Sequence, residues 1–189
     1  MTPRILYLHG FRSSPASWKV RLLSDYMAAA GLEDKFVCPA LSHVPKLAIE
    51  QAEALIAATA GPVALVGSSL GGYYATWLAE KHNLPAVLIN PAVLAPLSLS
   101  EHLGTQTNLY TGETFDFTAA HVDELRALEV AQITPSRYLL LVETGDEVLD
   151  YRQAVTRYVG CRQIVCEGGD HSFTRFPEFL PQILEFCGL

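Results

Sequence analysis

Six short apolar, β-rich runs separated by amphipathic stretches constrain this chain more than any other feature. They fall at residues 4–9, 36–38, 63–66, 86–89, 138–142 and 162–166. Between them, helical patterns cover residues 15–30, 47–60, 70–82, 151–159 and 177–187, with Ser14 and Pro15 placed to start the first and Gly31 to close it. The expected inward stripe is Trp18, Leu22, Tyr26 and Met27 on the first helix, and Ala52, Leu55, Ile56 and Thr59 on the second. Strand–helix–strand units require right-handed crossovers and lead to a mainly parallel sheet, buried on both faces. The expected fold class is therefore α/β, with six strands and helices on both sides. One connection departs from the rhythm: residues 91–137 are far more than a βα unit needs. Helices are expected in this insert at about 94–103 and 119–129, the second capped by Thr118, and the insert is expected to act as a small helical cap on a single domain spanning residues 1–189.

At 189 residues the chain can bury a core without metal or disulfide staples. Thirteen Lys and Arg against 20 Asp and Glu give a net charge of -7 without any basic run, which argues against nucleic acid and anionic lipid as partners. Residues 1–8 lack the charged start, apolar stretch and cleavage site of an export signal, and apolar runs elsewhere fall short of a ~20-residue span. A cytoplasmic protein without a membrane anchor is the expectation. Cys38, Cys161, Cys166 and Cys187 form no C-x-x-C pair and read as reduced residues of the core.

Gly67-Ser68-Ser69-Leu70-Gly71 matches G-x-S-x-G, directly between an apolar strand and a helical pattern. A sharp strand-to-helix turn holds a serine proud of the sheet, and only residues without bulk can flank it. A serine hydroxyl is a poor nucleophile at its own pKa and needs a base, itself aimed by a third group. Of six histidines, His171 lies in a glycine loop (GGDHSF) after the sixth strand, where it can reach the carboxyl edge of the sheet. The acid should follow a strand between the two, and Asp146 qualifies at the turn leaving YLLLV. Its neighbours Asp150 and Glu147 read instead as the N-cap of the helix at Tyr151 and as a side chain directed away. Charge developing on a substrate oxygen needs fixed donors; the backbone N–H groups of Leu70 and Phe11 are the candidates for this oxyanion hole. All four pieces follow the carboxyl ends of different strands, the edge where open α/β sheets bind ligands. No phosphate-loop, H-E-x-x-H or dinucleotide fingerprint is present, so no cofactor or metal is expected.

At the level of motifs the chain resembles the α/β-hydrolases and, more narrowly, YqiA-like small bacterial esterases. The resemblance rests on YLHGFRSSPASWK at 7–19, GSSLGGYYATWLAE at 67–80, NPAVLAP at 90–96, NLYTGETF at 108–115, TGDEVLDY at 144–151 and GGDHSF at 168–173. It implies a minimal hydrolase acting on small-molecule esters and acyl thioesters through Ser69, Asp146 and His171. Leu97, Leu109, Tyr110, Phe115 and Phe117 either line an acyl pocket under the insert or pack the insert onto the sheet. Arg12, beside the oxyanion loop, is a candidate for meeting an anionic leaving group such as a coenzyme A phosphate. The competing readings are a binding protein on a hydrolase scaffold and an acyltransferase.

Overall fold

A computed structural model describes residues 2–189; Met1 lies outside them. Eight strands and seven helices follow in the order β1 (Arg4–Leu8), α1 (Trp18–Ala29), β2 (Phe36–Val37), α2 (Pro45–Ala58), β3 (Val63–Ser68), α3 (Leu70–His82), β4 (Ala86–Ile89), α4 (Ala95–Leu99), β5 (Gly104–Thr107), β6 (Thr114–Phe117), α5 (Ala119–Ala127), β7 (Tyr138–Glu143), α6 (Tyr151–Arg157), β8 (Arg162–Cys166) and α7 (Phe176–Cys187). The main sheet has the order β2-β1-β3-β4-β7-β8, and all of its pairings are parallel. Its carboxyl ends therefore share one edge.

Strand residues alternate between two cores, as the period of two demands. Leu6, Leu8, Leu65, Leu88, Leu140 and Val142 face α2, α3, α5 and α6. Ile5, Tyr7, Val66, Ile89, Leu139 and Leu141 face α1 and α7. Both faces are covered, which explains why the central strands are continuous apolar runs rather than alternating ones.

The α1 expectation needs correcting. The helix starts at Trp18 with Ser17 as its N-cap, and it buries Val20, Leu23 and Met27. Tyr26 is exposed, while Trp18 and Leu22 are half-buried at the flank. The Trp18 ring lies at the edge of this core, meeting Phe176 edge-on at 6.3 Å. Likewise α2 begins at Pro45 and buries Ala48, Ile49 and Ala52, leaving Leu55 and Ile56 half-buried.

The segment 91–137 holds the two expected helical pieces, α4 extended by a 3-10 turn at Ser100–His102, and α5. Between them lies an unexpected antiparallel hairpin, β5–β6, paired Gly104↔Phe117 through Thr107↔Thr114. The C-terminal end of the 91–137 segment and the start of β7 are tied to the serine-bearing helix: Glu80 of α3 accepts from the Thr134 N–H and the Tyr138 hydroxyl, both at 2.7 Å. The four cysteines are free, and burial pushes the Cys38 and Cys187 thiols up to about 12, away from a reactive thiolate. No helix among the described residues is long and apolar enough to cross a membrane.

Candidate active site

Ser69 occupies the step from β3 into α3 with φ 54 and ψ -121, a conformation that L-residues rarely adopt. Packing enforces it. A Cβ on Gly67 would stand 2.3 Å from the Gly71 carbonyl oxygen, and one on Gly71 would stand 1.9 Å from the Leu8 carbonyl oxygen. The helix thus presses against both its own strand and β1, and the turn cannot relax. Ile89 of β4 accepts from the Ser69 N–H, and the Ser69 carbonyl takes the N–H groups of Gly72 and Ala92.

His171 Nε2 lies 3.1 Å from Ser69 Oγ, and its Nδ1 lies 2.8 Å from Asp146 Oδ2. Asp146 can only accept when ionised, so Nδ1–H donates to it and Nε2 is left to accept the serine proton. The Asp146 side chain is almost fully buried, and its second oxygen accepts from Val148 N at 2.9 Å and Leu149 N at 2.8 Å. Those two amides fix the carboxylate, and the carboxylate fixes the imidazole. Asp150 caps α6 by accepting from Arg152 N, as expected. Glu147 is not directed away: its Oε2 accepts from the His171 N–H at 2.9 Å, a bond that also holds this exposed carboxyl below its usual range.

Two groups that sequence reasoning missed secure the histidine loop. Asn90, at the end of β4 with φ 40, accepts from Glu143 N through Oδ1 and donates through Nδ2 to the Asp170 and His171 carbonyls at 3.1 and 3.2 Å. Glu143 is completely buried, and its Oε2 accepts from Asp170 N at 2.8 Å. A carboxylate ending the otherwise apolar strand YLLLVE was the available signal, because a charge is buried only where it has work to do.

At the end of β1, His9 is buried. Its Nε2 accepts from Leu41 N at 3.1 Å, so its Nδ1 carries the hydrogen and donates to the Gly10 carbonyl at 3.0 Å. Burial lowers its pKa from the ordinary 6.5, so the folded state prefers the neutral ring. That stabilisation is whole above 6.5 and is lost as pH falls below it. Melting temperature should accordingly fall less in His9→Gln than in wild type between about pH 7 and about pH 5; parallel declines would show that His9 carries none of the slope.

Gly10 then brings the chain against the serine: a Cβ there would lie 3.2 Å from Ser69 Cβ. Phe11 follows, its ring packed on Phe115 and Phe117 at 5.9 and 5.1 Å. Leu70 is the first residue of α3, where N–H groups lack helical partners.

The hairpin tip docks on this loop. Leu109 N donates to the Arg12 carbonyl, Asn108 Nδ2 to the Ser13 carbonyl (both 2.8 Å), and Arg12 Nε to the Thr107 carbonyl at 3.0 Å. Leu109 and Tyr110 consequently line a cavity of about 200 Å³ that contains Ser69 and His171. Phe115 and Arg12 line a neighbouring cavity of about 380 Å³ on the other side of the His9–Phe11 wall. Phe117 is buried in the core, and Leu97 is 67% exposed and borders neither cavity.

A parallel sheet with helices on both faces, and a strained serine at its carboxyl edge beside a histidine and an aspartate, give this chain the α/β-hydrolase fold. Solved structures share the fold. Alpha/beta hydrolase domain-containing protein 10 from mouse matches with a TM-score of 0.75 at 18% identity, over 98% of this chain and 89% of that one. Est1E from Butyrivibrio proteoclasticus, also solved with ferulic acid bound, matches at 0.70 and 14% identity, over 99% and 86%. A monoacylglycerol lipase from Paleococcus ferrophilus matches at 0.69 and 17%, over 98% and 95%. The chain belongs to the YqiA-like family UPF0227, described as an uncharacterised protein family, whose model matches residues 4–188.

Proposed function

We propose that this protein is a serine esterase that hydrolyses small-molecule carboxylic esters, and acyl thioesters by the same chemistry, through an acyl-enzyme. The observation that carries the reading is the unbroken relay from Ser69 Oγ through His171 to an Asp146 carboxylate whose remaining oxygen is already occupied. Ser69 attacks the acyl carbonyl carbon as its proton passes to His171 Nε2, and Asp146 steadies the imidazolium. The N–H groups of Phe11 and Leu70 receive the oxyanion, supported by the approach of Gly10 to Ser69 and by the positive end of α3. His171 then protonates the departing alcohol or thiol, and a water activated by the same imidazole cleaves the acyl-enzyme. We assign Arg12 to an anionic leaving group and the segment 91–137 to a cap on a single domain, with its hairpin tip over the nucleophile.

A fluorophosphonate probe tests the reading directly. The expected result is a covalent adduct on Ser69, located by mass spectrometry in the peptide containing residues 67–72, together with hydrolysis of esters from a graded panel. Folded protein that takes no label and cleaves no ester would indicate a binding role instead.

A further inference from the structure

The cavity at Ser69 is small, and Phe11, Trp18, Leu109 and Tyr110 share its wall with ammonium and hydroxyl donors. Its volume of about 200 Å³ lies below the about 300 to 1,000 Å³ of sites that enclose drug-sized ligands. Tyr7, Ser13, Ser17, Ser68, Lys19 and Ser172 contribute polar side chains to its wall, and no carboxylate lines it.

One of these groups lacks a hydrogen-bond partner, and another lacks a counter-ion. Tyr7 is 1% exposed, and its hydroxyl makes no hydrogen bond among the described residues; the neighbouring Ser68 hydroxyl does not meet it in bonding geometry. A buried hydroxyl without a partner is costly unless something else supplies one. Lys19, in the first turn of α1, gives one hydrogen bond to the Ser172 carbonyl at 2.7 Å and has no ion-pair partner among the described residues. Desolvation lowers its pKa to about 8, although Asp170, Asp146 and Glu143 at longer range oppose the shift. Ser17 stands beside it without capping α1 through its hydroxyl.

We propose that this cavity is the acyl subsite and selects a short acyl group whose far end carries a carboxylate, paired with the Lys19 ammonium and accepting a hydrogen bond from the Tyr7 hydroxyl. The inference rests on ester hydrolysis at Ser69. It adds which acyl groups are hydrolysed and names Lys19 and Tyr7 as specificity residues that leave the bond-breaking steps to Ser69 and His171. An uncharged chain of the same shape leaves both donors unsatisfied, so discrimination should be strong. A long alkyl chain lacks the volume it needs.

The test compares monobenzyl succinate with benzyl 4-methylpentanoate, which share a leaving group and nearly the same acyl shape but differ in charge. In wild type, kcat/KM for the succinate ester should exceed that for the neutral ester by about tenfold or more. Lys19→Met should bring the ratio to about one or below, and Tyr7→Phe should lower it about threefold without lowering the melting temperature, since no protein hydrogen bond is lost. Lys46→Met, exposed on α2, should keep the ratio. Equal or reversed preference in wild type overturns the proposal whether or not the variants fold, as does a ratio unmoved by Lys19→Met. Failure of the esterase reading looks different: neither ester is cleaved and Ser69 takes no fluorophosphonate label.

Discussion

Ser69→Ala should reduce ester turnover by about 10³-fold or more while shifting the melting temperature by no more than about 2 °C. The Ser69 hydroxyl makes one side-chain contact, the 3.1 Å bond to His171 Nε2, and otherwise faces the cavity. The unusual backbone at this position is held by the Ile89, Gly72 and Ala92 hydrogen bonds, which an alanine preserves. Initial rates on a benzyl ester, set beside thermal unfolding of the same preparation, check both halves of the expectation. A variant that retains wild-type rates would remove Ser69 from the reaction; one that melts far lower would give the hydroxyl a structural task that the geometry does not suggest.

Gly71→Ala should fail in the opposite manner, through the scaffold. Its Cβ would come within 1.9 Å of the Leu8 carbonyl oxygen and 2.8 Å of the His9 carbonyl oxygen, backbone atoms that cannot swing aside like a side chain. Relief requires α3 to back away from β1, yet α3 carries Ser69 and packs Tyr74, Ala75 and Leu78 into the core. We expect a loss of more than about 3 kcal/mol in urea unfolding, beyond ordinary overpacking in a deformable core. Whatever protein remains folded should also be poorly active, because backing α3 away moves Ser69 relative to His171. Stability near wild type would mean that the helix and strand can separate without penalty.

The contrast between these two substitutions shows what the sequence made legible. The central strands were readable because buried parallel strands are unbroken apolar runs, and the serine turn because its glycines have no substitute where backbones meet. Ser69, Asp146 and His171 each follow a strand of the same parallel sheet, so reading the strands located all three on one edge. Helix faces were harder: Trp18 and Tyr26 look like core residues, but rings of that size sit at the flank of α1 while Val20, Leu23 and Met27 fill the gap over the sheet. The hairpin left little trace because GTQT and TFDF are short and largely exposed, with threonine and glycine the chief hints. Lys19, Asn90 and Glu143 escaped for a common reason. A charged or amide side chain in a single sequence reads as solvated, and only the fold reveals that elements distant along the chain have closed around it.

Because Asn108, Leu109 and Thr107 are bonded to Arg12 and Ser13, the hairpin tip lining the Ser69 cavity and the loop bearing the proposed Phe11 donor form one mechanical piece. Lifting that hairpin tip would pull on the proposed donor amide, so an opened molecule would also be an unprimed one. Engineering a wider entrance by loosening the hairpin would therefore cost reactivity along with confinement, whereas trimming the Leu109 or Tyr110 side chain would enlarge the mouth and leave those hydrogen bonds intact.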